Sequence, residues 1–176
     1  MTKRMLFVTA LVIAAPAAAN GELNIARTSE PVADNVNTGT PARNLPGATI
    51  DHLVTVTNPI GNLLVTIRAV SITEVIPEKV NFRVADLNAS GGPVEFMNGN
   101  VLSIPIGSST LSYSYLGLTN GSDGLAFTSN GTDYDYQPVD NGSGYDPLVR
   151  GVRVTLTGNA FSTVSGFRLR YRVKLK

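Results

Sequence analysis

Apolar and polar residues alternate along three stretches of the chain. Ile50, His52, Val54 and Val56 share one parity, with Thr49, Asp51, Thr55 and Thr57 on the other. Val152, Val154 and Leu156 alternate with Arg153, Thr155 and Thr157. Phe167, Leu169, Tyr171, Val173 and Leu175 alternate with Arg168, Arg170, Arg172, Lys174 and Lys176. A period of two is the mark of a strand with one face buried and one in water. Shorter runs predict further strands at Leu23–Arg27, Leu64–Arg68 continuing through Ala69–Glu74, Val80–Ala85, Val94–Met97 with Val101–Ile104, Leu111–Leu118, and Leu125–Thr128 with Thr132–Tyr136. Between them lie Asn98-Gly99, Asn120-Gly121, Asn130-Gly131 and Asn141-Gly142, each a candidate hairpin tip because Asn-Gly tolerates positive φ. Beyond the first twenty residues no window shows the i, i+3, i+4, i+7 spacing of an amphipathic helix. The pattern predicts an all-β chain of about eight to ten short strands, and their spacing points to an immunoglobulin-like two-sheet β-sandwich rather than a closed barrel.

Two segments depart from this rhythm. Residues 1–19 begin with Lys3 and Arg4, continue through an apolar run from Met5, and close on Ala17, Ala18 and Ala19. A basic start, an apolar centre and an Ala-x-Ala close form a secretory signal peptide, cut after Ala19. The apolar run is too short to cross about 30 Å of hydrocarbon. No second long apolar run follows, and no cysteine is present for a lipid anchor. The expectation is therefore a secreted protein or one on the extracellular surface, with no membrane insertion after signal removal. Residues 20–46 hold one strand, Leu23–Arg27, and then a polar stretch with three prolines. Such a long connection is unusual inside a compact domain. It either wraps the sandwich formed by residues 47–176 or acts as a detachable arm, and both readings stay open.

Composition narrows the chemistry. The chain has 176 residues, no Cys, no Trp and a single His. Disulfide frameworks, Cys- or His-rich zinc sites, thiol nucleophiles and most His-based triads are excluded. Its formal net charge is +1, and loss of Lys3 and Arg4 with the signal turns this to −1. Net charge gives no reason to expect nucleic acid as a partner.

Four features carry possible functions. His52 stands on an inward parity and reads as a core or boundary residue. The loop-rich region from Asn120 to Asp146 holds Asp123, Asp133, Asp135, Asp140 and Asp146, oxygen donors of the kind calcium requires. It lacks any recognised calcium-loop spacing, so turn-forming and solvent-facing aspartates are the plainer reading, with Asp133 and Asp135 on one face of a strand. Paired carboxylates also suggest glycoside hydrolysis, with nothing to indicate a cleft. Arg168, Arg170, Arg172, Lys174 and Lys176 form a cationic ladder on one face of the last strand. The ladder is either a solvated face that discourages edge-to-edge pairing or a docking surface for an acidic glycan, a surface protein or a neighbouring copy. Asn88, Asn120, Asn130 and Asn141 each begin an Asn-x-Ser/Thr sequence, three of them at Asn-Gly turns.

The order of short motifs resembles a known pattern. Pro46-Gly47-Ala48-Thr49-Ile50, followed by His52, Val54, Val56 and Asn58, resembles the Pro-Gly signature of the bacterial surface repeat catalogued as a domain of unknown function, number eleven. Val70–Pro77 resembles its next segment. Ser129–Pro138, Gly144–Pro147, Val152-Arg153 and Phe167–Val173 resemble single-domain, signal-bearing relatives, so the likeness spans about residues 46–175. His52 stands where the pattern has Tyr, and Glu74 where it has Asp. The resemblance implies an immunoglobulin-like, exported and non-enzymatic module without cofactor, used as a spacer or filament subunit. On this reading the partner is another copy, and Leu23 and Ile25 would pair with an exposed sheet edge of that copy. The alternative is a secreted adhesin or binding module for an acidic glycan or a calcium-dependent surface ligand.

Overall fold

The alternation along residues 165–175 places this segment at the centre of the molecule, because its apolar face needs a second sheet to cover it. A computed structural model describes residues 22–36, 41–88, 91–99, 107–158 and 161–176. The expected signal peptide and the strand expected at Val101–Ile104 lie outside the described residues. In chain order the strands are β1 (Asn24–Ala33), β2 (Thr49–Asn58), β3 (Ser71–Val75), β4 (Val80–Arg83), β5 (Val94–Asn98), β6 (Gly107–Ser108), β7 (Leu111–Ser112), β8 (Leu125–Thr128), β9 (Tyr145–Asp146), β10 (Gly151–Thr155), β11 (Thr157–Gly158) and β12 (Ser165–Leu175). The fold is all-β, a sandwich of antiparallel sheets.

The larger sheet runs β1-β2-β12 and then β4 and β9, with β5 lying end to end with β4 along the same edge of β12 and β6 parallel to the start of β12. The second sheet is β3-β10-β8, and β7 and β11 make a short separate ladder. Phe167, Leu169, Tyr171 and Val173 of β12 are buried, as are Val54 and Val56 of β2 and Phe82 of β4. They face Ile72, Phe127, Val152 and Val154 of the second sheet within one apolar cluster. Phe82 meets Phe127 edge-on at 5.8 Å across the two sheets, the offset geometry that aromatic quadrupoles prefer. Fully burying side chains of this size contributes about 1.5–3 kcal/mol each, so register errors on these strands are costly.

The turn chemistry of the quoted motifs is visible in detail. Gly47 sits at φ +85, a left-handed conformation that strains any residue with a Cβ, so glycine suits the point where the chain enters β2. At the other end of β2, buried Asn58 donates from Nδ2 to the Phe161 carbonyl at 2.6 Å. Its Oδ1 accepts from Asn62 Nδ2 at 2.7 Å, and the Asn62 amide also donates to the Glu22 carbonyl.

Several expectations need correction. Residues 64–68 are not a strand, and Leu64 is 95% exposed. This segment carries the chain from the end of β2 to the start of β3 in the other sheet; among the described residues it joins no strand ladder, and the Ile67 carbonyl accepts the Phe161 amide. Of Leu111–Leu118 only the first two residues pair, and Thr132–Tyr136 makes a single bridge from Tyr136 to Phe127. Tyr134 and Asp135 lie in a turn, so Asp133 and Asp135 do not share a strand face. The Asn-Gly pairs do not close two-residue hairpins among the described residues. Asn130 instead accepts the amides of Thr132 and Asp133, a side-chain turn that opens a wider loop. Conversely, residues 28–33, read as polar arm, extend the first strand to Ala33.

Candidate functional site

β1 forms one margin of the larger sheet. It pairs antiparallel with β2 from Asn24 opposite Thr57 to Ala33 opposite Thr49, with one irregularity between Pro31 and Ala33. No described strand pairs with its other edge. Nine of its ten residues are exposed, and Pro31 is intermediate. Proline is tolerated because one edge needs no donor. Ile25 is 45% exposed, and Leu23, just before the strand, is half-buried against the core. The strand thus lies in cis on its own sandwich, held more by backbone hydrogen bonds than by apolar burial.

One side chain ties β1 to the second sheet. Arg27 Nε donates to Glu74 Oε1 at 3.0 Å and Oε2 at 3.2 Å, and Arg27 Nη2 donates to Oε1 at 2.8 Å. Glu74 lies on the inward parity of β3, between core residues Ile72 and Ile76, and is buried. The Tyr171 hydroxyl of β12 reaches Glu74 Oε2 at 3.4 Å, and the His52 ring stacks on Tyr171 at 5.0 Å. The hydrogen bonds from Arg27 to the Glu74 carboxylate raise the guanidinium pKa. Burial, and then the nearby Glu74 charge, raises that of Tyr171. Burial lowers that of His52, against smaller opposing pulls from Glu74 and Asp51. His52 is the half-buried boundary residue its parity suggested. The cluster was not assembled from the sequence, although a carboxylate between Ile72 and Ile76 on an alternating strand was a visible signal.

The cationic ladder lies on the outer face of β12, which is an interior strand of its sheet and not an edge. A role in blunting edge-to-edge pairing therefore does not apply. Arg170 Nε contacts Glu95 at 2.6 Å, and its Nη1 contacts Asp51 at 3.3 Å. Arg172 pairs with Asp51 through both Nε and Nη2, which raises the Arg172 pKa. The Lys174 ammonium lies 5.9 Å from the Tyr145 ring centre, and the Lys176 ammonium donates to the Glu78 carbonyl. Arg168 Nε is buried with no hydrogen-bond partner among the described residues. An acidic glycan approaching the centre of this face would have to displace Asp51 and Glu95.

Four of the five acidic residues of this region accept hydrogen bonds from their own neighbourhood, three of them from backbone amides. Asp123 accepts the amides of Leu116 and Leu125, and Asp140 those of Gly142 and Gly144. Asp133 accepts from Asn130 Nδ2. Asp146, 2% exposed, accepts from the Tyr136 hydroxyl and the amides of Val139 and Leu148. Among the described residues no three His, Cys, Asp or Glu side chains are grouped as metal ligands would be. These carboxylates end turns, as short acceptors do wherever amides lack a ladder partner.

No protein-family model matches the chain, and neither the curated proteins nor the solved structures contain a match.

Proposed function

We propose that this protein is an exported, non-enzymatic structural module of the cell exterior, an immunoglobulin-like sandwich of the surface-repeat type, that assembles with copies of itself through its N-terminal strand. The observation that carries the reading is β1, a ten-residue strand at the margin of its sheet, whose outer edge is unpaired among the described residues and nine of whose ten residues are exposed. A marginal strand held mainly by backbone hydrogen bonds occupies a place that the same strand of another copy can fill. Export is supported by the pattern of residues 1–19, and a structural rather than enzymatic role by the residue inventory. The polar connection after β1 supplies the reach that assembly in trans needs.

Electron microscopy and size-exclusion chromatography of the secreted protein test the proposal. The full chain is expected to form filaments or long oligomers, and a chain lacking residues 20–45 is expected to stay folded and unassembled. Because that shortened chain keeps the β2 edge but has no strand to offer, adding it to the full chain should shorten the polymers. A monomeric full chain, or polymers that persist after the deletion, would overturn the reading.

A further inference from the structure

We infer that assembly proceeds by exchange of β1 between copies, with Arg27 of one copy seated on Glu74 of the next as the contact that sets partner and register. The inference rests on the proposed role of β1 and adds the address to it. The strand would not be added outside an intact sheet; it would take the place that the receiving copy's own β1 occupies on β2.

Three observations support this. First, the slot between β2 and β3 contains a charge that needs a cation. Glu74 is buried on the inward face of β3, and without Arg27 its described partner is the Tyr171 hydroxyl at 3.4 Å. A buried carboxylate stripped of its cation is strongly disfavoured, so a slot vacated by β1 selects a strand with a cation opposite Val54, the position Arg27 holds.

Second, little else on β1 reports register. Its side chains are exposed, so a slip along β2 forfeits little apolar burial. A one-residue slip turns Arg27 to the outer face. A two-residue slip moves it about 7 Å along the strand, beyond ion-pair distance from Glu74.

Third, the connection is far longer than cis pairing requires. Ala33 and Thr49 are directly opposed partners, a gap that a hairpin of two to five residues closes. Residues 34–48 span about 50 Å when extended. The Asp34 carboxylate accepts the amides of Val36 and Arg43. At its far end the Gly47 amide is tied to the Leu175 carbonyl, so any swing takes place before that point. A terminal strand on a long connection is the arrangement from which identical chains exchange elements.

Charge reversal tests the address. Arg27→Glu and Glu74→Arg chains each carry like charges in arm and slot, so each alone should remain unassembled. In an equimolar mixture every junction between unlike chains is complementary, and alternating polymers should form. Assembly of the wild type without rescue in the mixture would overturn the address while leaving self-assembly standing. A wild type that does not assemble would overturn both.

Should Glu74→Arg fail to fold, a cross-link decides the question in a chain that otherwise has no cysteine. Thr28 and Leu53 are directly opposed across β1 and β2. Mixed Thr28→Cys and Leu53→Cys chains should form a mixed disulfide dimer on oxidation, at least tenfold reduced when Arg27→Ala is added to the Thr28→Cys chain. No mixed dimer in assembling protein, or a yield indifferent to Arg27→Ala, would overturn the inference.

Discussion

Asp146→Ala removes, from the end of β9, an acceptor shared by three donors in the segments that flank that strand. Oδ2 takes the Tyr136 hydroxyl at 2.9 Å and the Val139 amide at 2.9 Å, and Oδ1 takes the Leu148 amide at 2.7 Å. Hydrogen bonds to a charged group contribute about 1.5–3 kcal/mol each, and an orphaned buried donor costs about 1–3 kcal/mol. The hydroxyl can rotate toward water, whereas the two amides are fixed by the chain. Counting only the amides gives a loss of about 3–6 kcal/mol, a large part of the roughly 5–15 kcal/mol that a domain has in total. For a chain of this size that corresponds to a fall in the thermal midpoint of roughly 10 °C. Asp146→Asn keeps one carbonyl oxygen and should lose about half as much. Urea unfolding followed by circular dichroism measures the change, with an unaltered slope showing that the unfolded state is not the cause. The Tyr136 hydroxyl, pushed up to about 12 by burial and then by Asp146, should titrate lower in the alanine variant. A loss below about 1 kcal/mol would refute the turn-anchoring account. So would a calcium-induced rise of the wild-type midpoint that the alanine variant lacks, because the carboxylate would then be serving a cation.

Three further perturbations follow from the same packing. Burial lowers the His52 pKa below that of the unfolded chain, so the unfolded state binds its proton first as pH falls. The stability contributed by neutral His52 is complete above the unfolded value near 6.5 and is lost as pH falls through the lower folded value. His52→Tyr should therefore flatten the midpoint between about pH 7.5 and about pH 5, and an unchanged pH profile would refute this. Val164 holds φ +55 with its side chain 57% exposed. Val164→Gly relieves a β-branched residue in the left-handed region and should stabilise by about 0.5–1 kcal/mol in urea unfolding; a loss of stability would count against it. Asn58→Ala orphans the buried Phe161 carbonyl and should cost about 2 kcal/mol, read from the shift of the urea midpoint.

The legible parts of the fold share a physical cause. β2, β10 and β12 each bury mainly one face, so the core writes itself into the alternation of Val54 and Val56, Val152 and Val154, and Phe167 to Val173. Where a strand pairs for two residues, as in β9 and β11, no period can form. Residues 64–68 alternate without being a strand, because alternation reports side-chain propensity and not the presence of a neighbour. β1 is the opposite case. Exposed on both faces, it has no period beyond Arg27, and its last residues read as loop.

The sequence by itself determined the all-β class, the inward-facing residues of the central strands, and the turn residues that separate them. These follow from local chemistry, the period of a pleated backbone and the positive φ angles glycine accepts. Only the tertiary structure decided what each charge does. Arg27 meets Glu74 across 47 residues, Arg170 meets Glu95 across 75, and Arg172 meets Asp51 across 121. A basic ladder next to acidic loops looks like two surfaces awaiting partners when read along the chain. In three dimensions the central guanidiniums have carboxylates from the flanking strands, Asp123, Asp140 and Asp146 have backbone amides, and β1 carries the free edge. The physical reason is that ion pairing is set by which strands lie side by side, and strand neighbours are chosen mainly by burial of apolar side chains, whose pattern along the chain names no ionic partner.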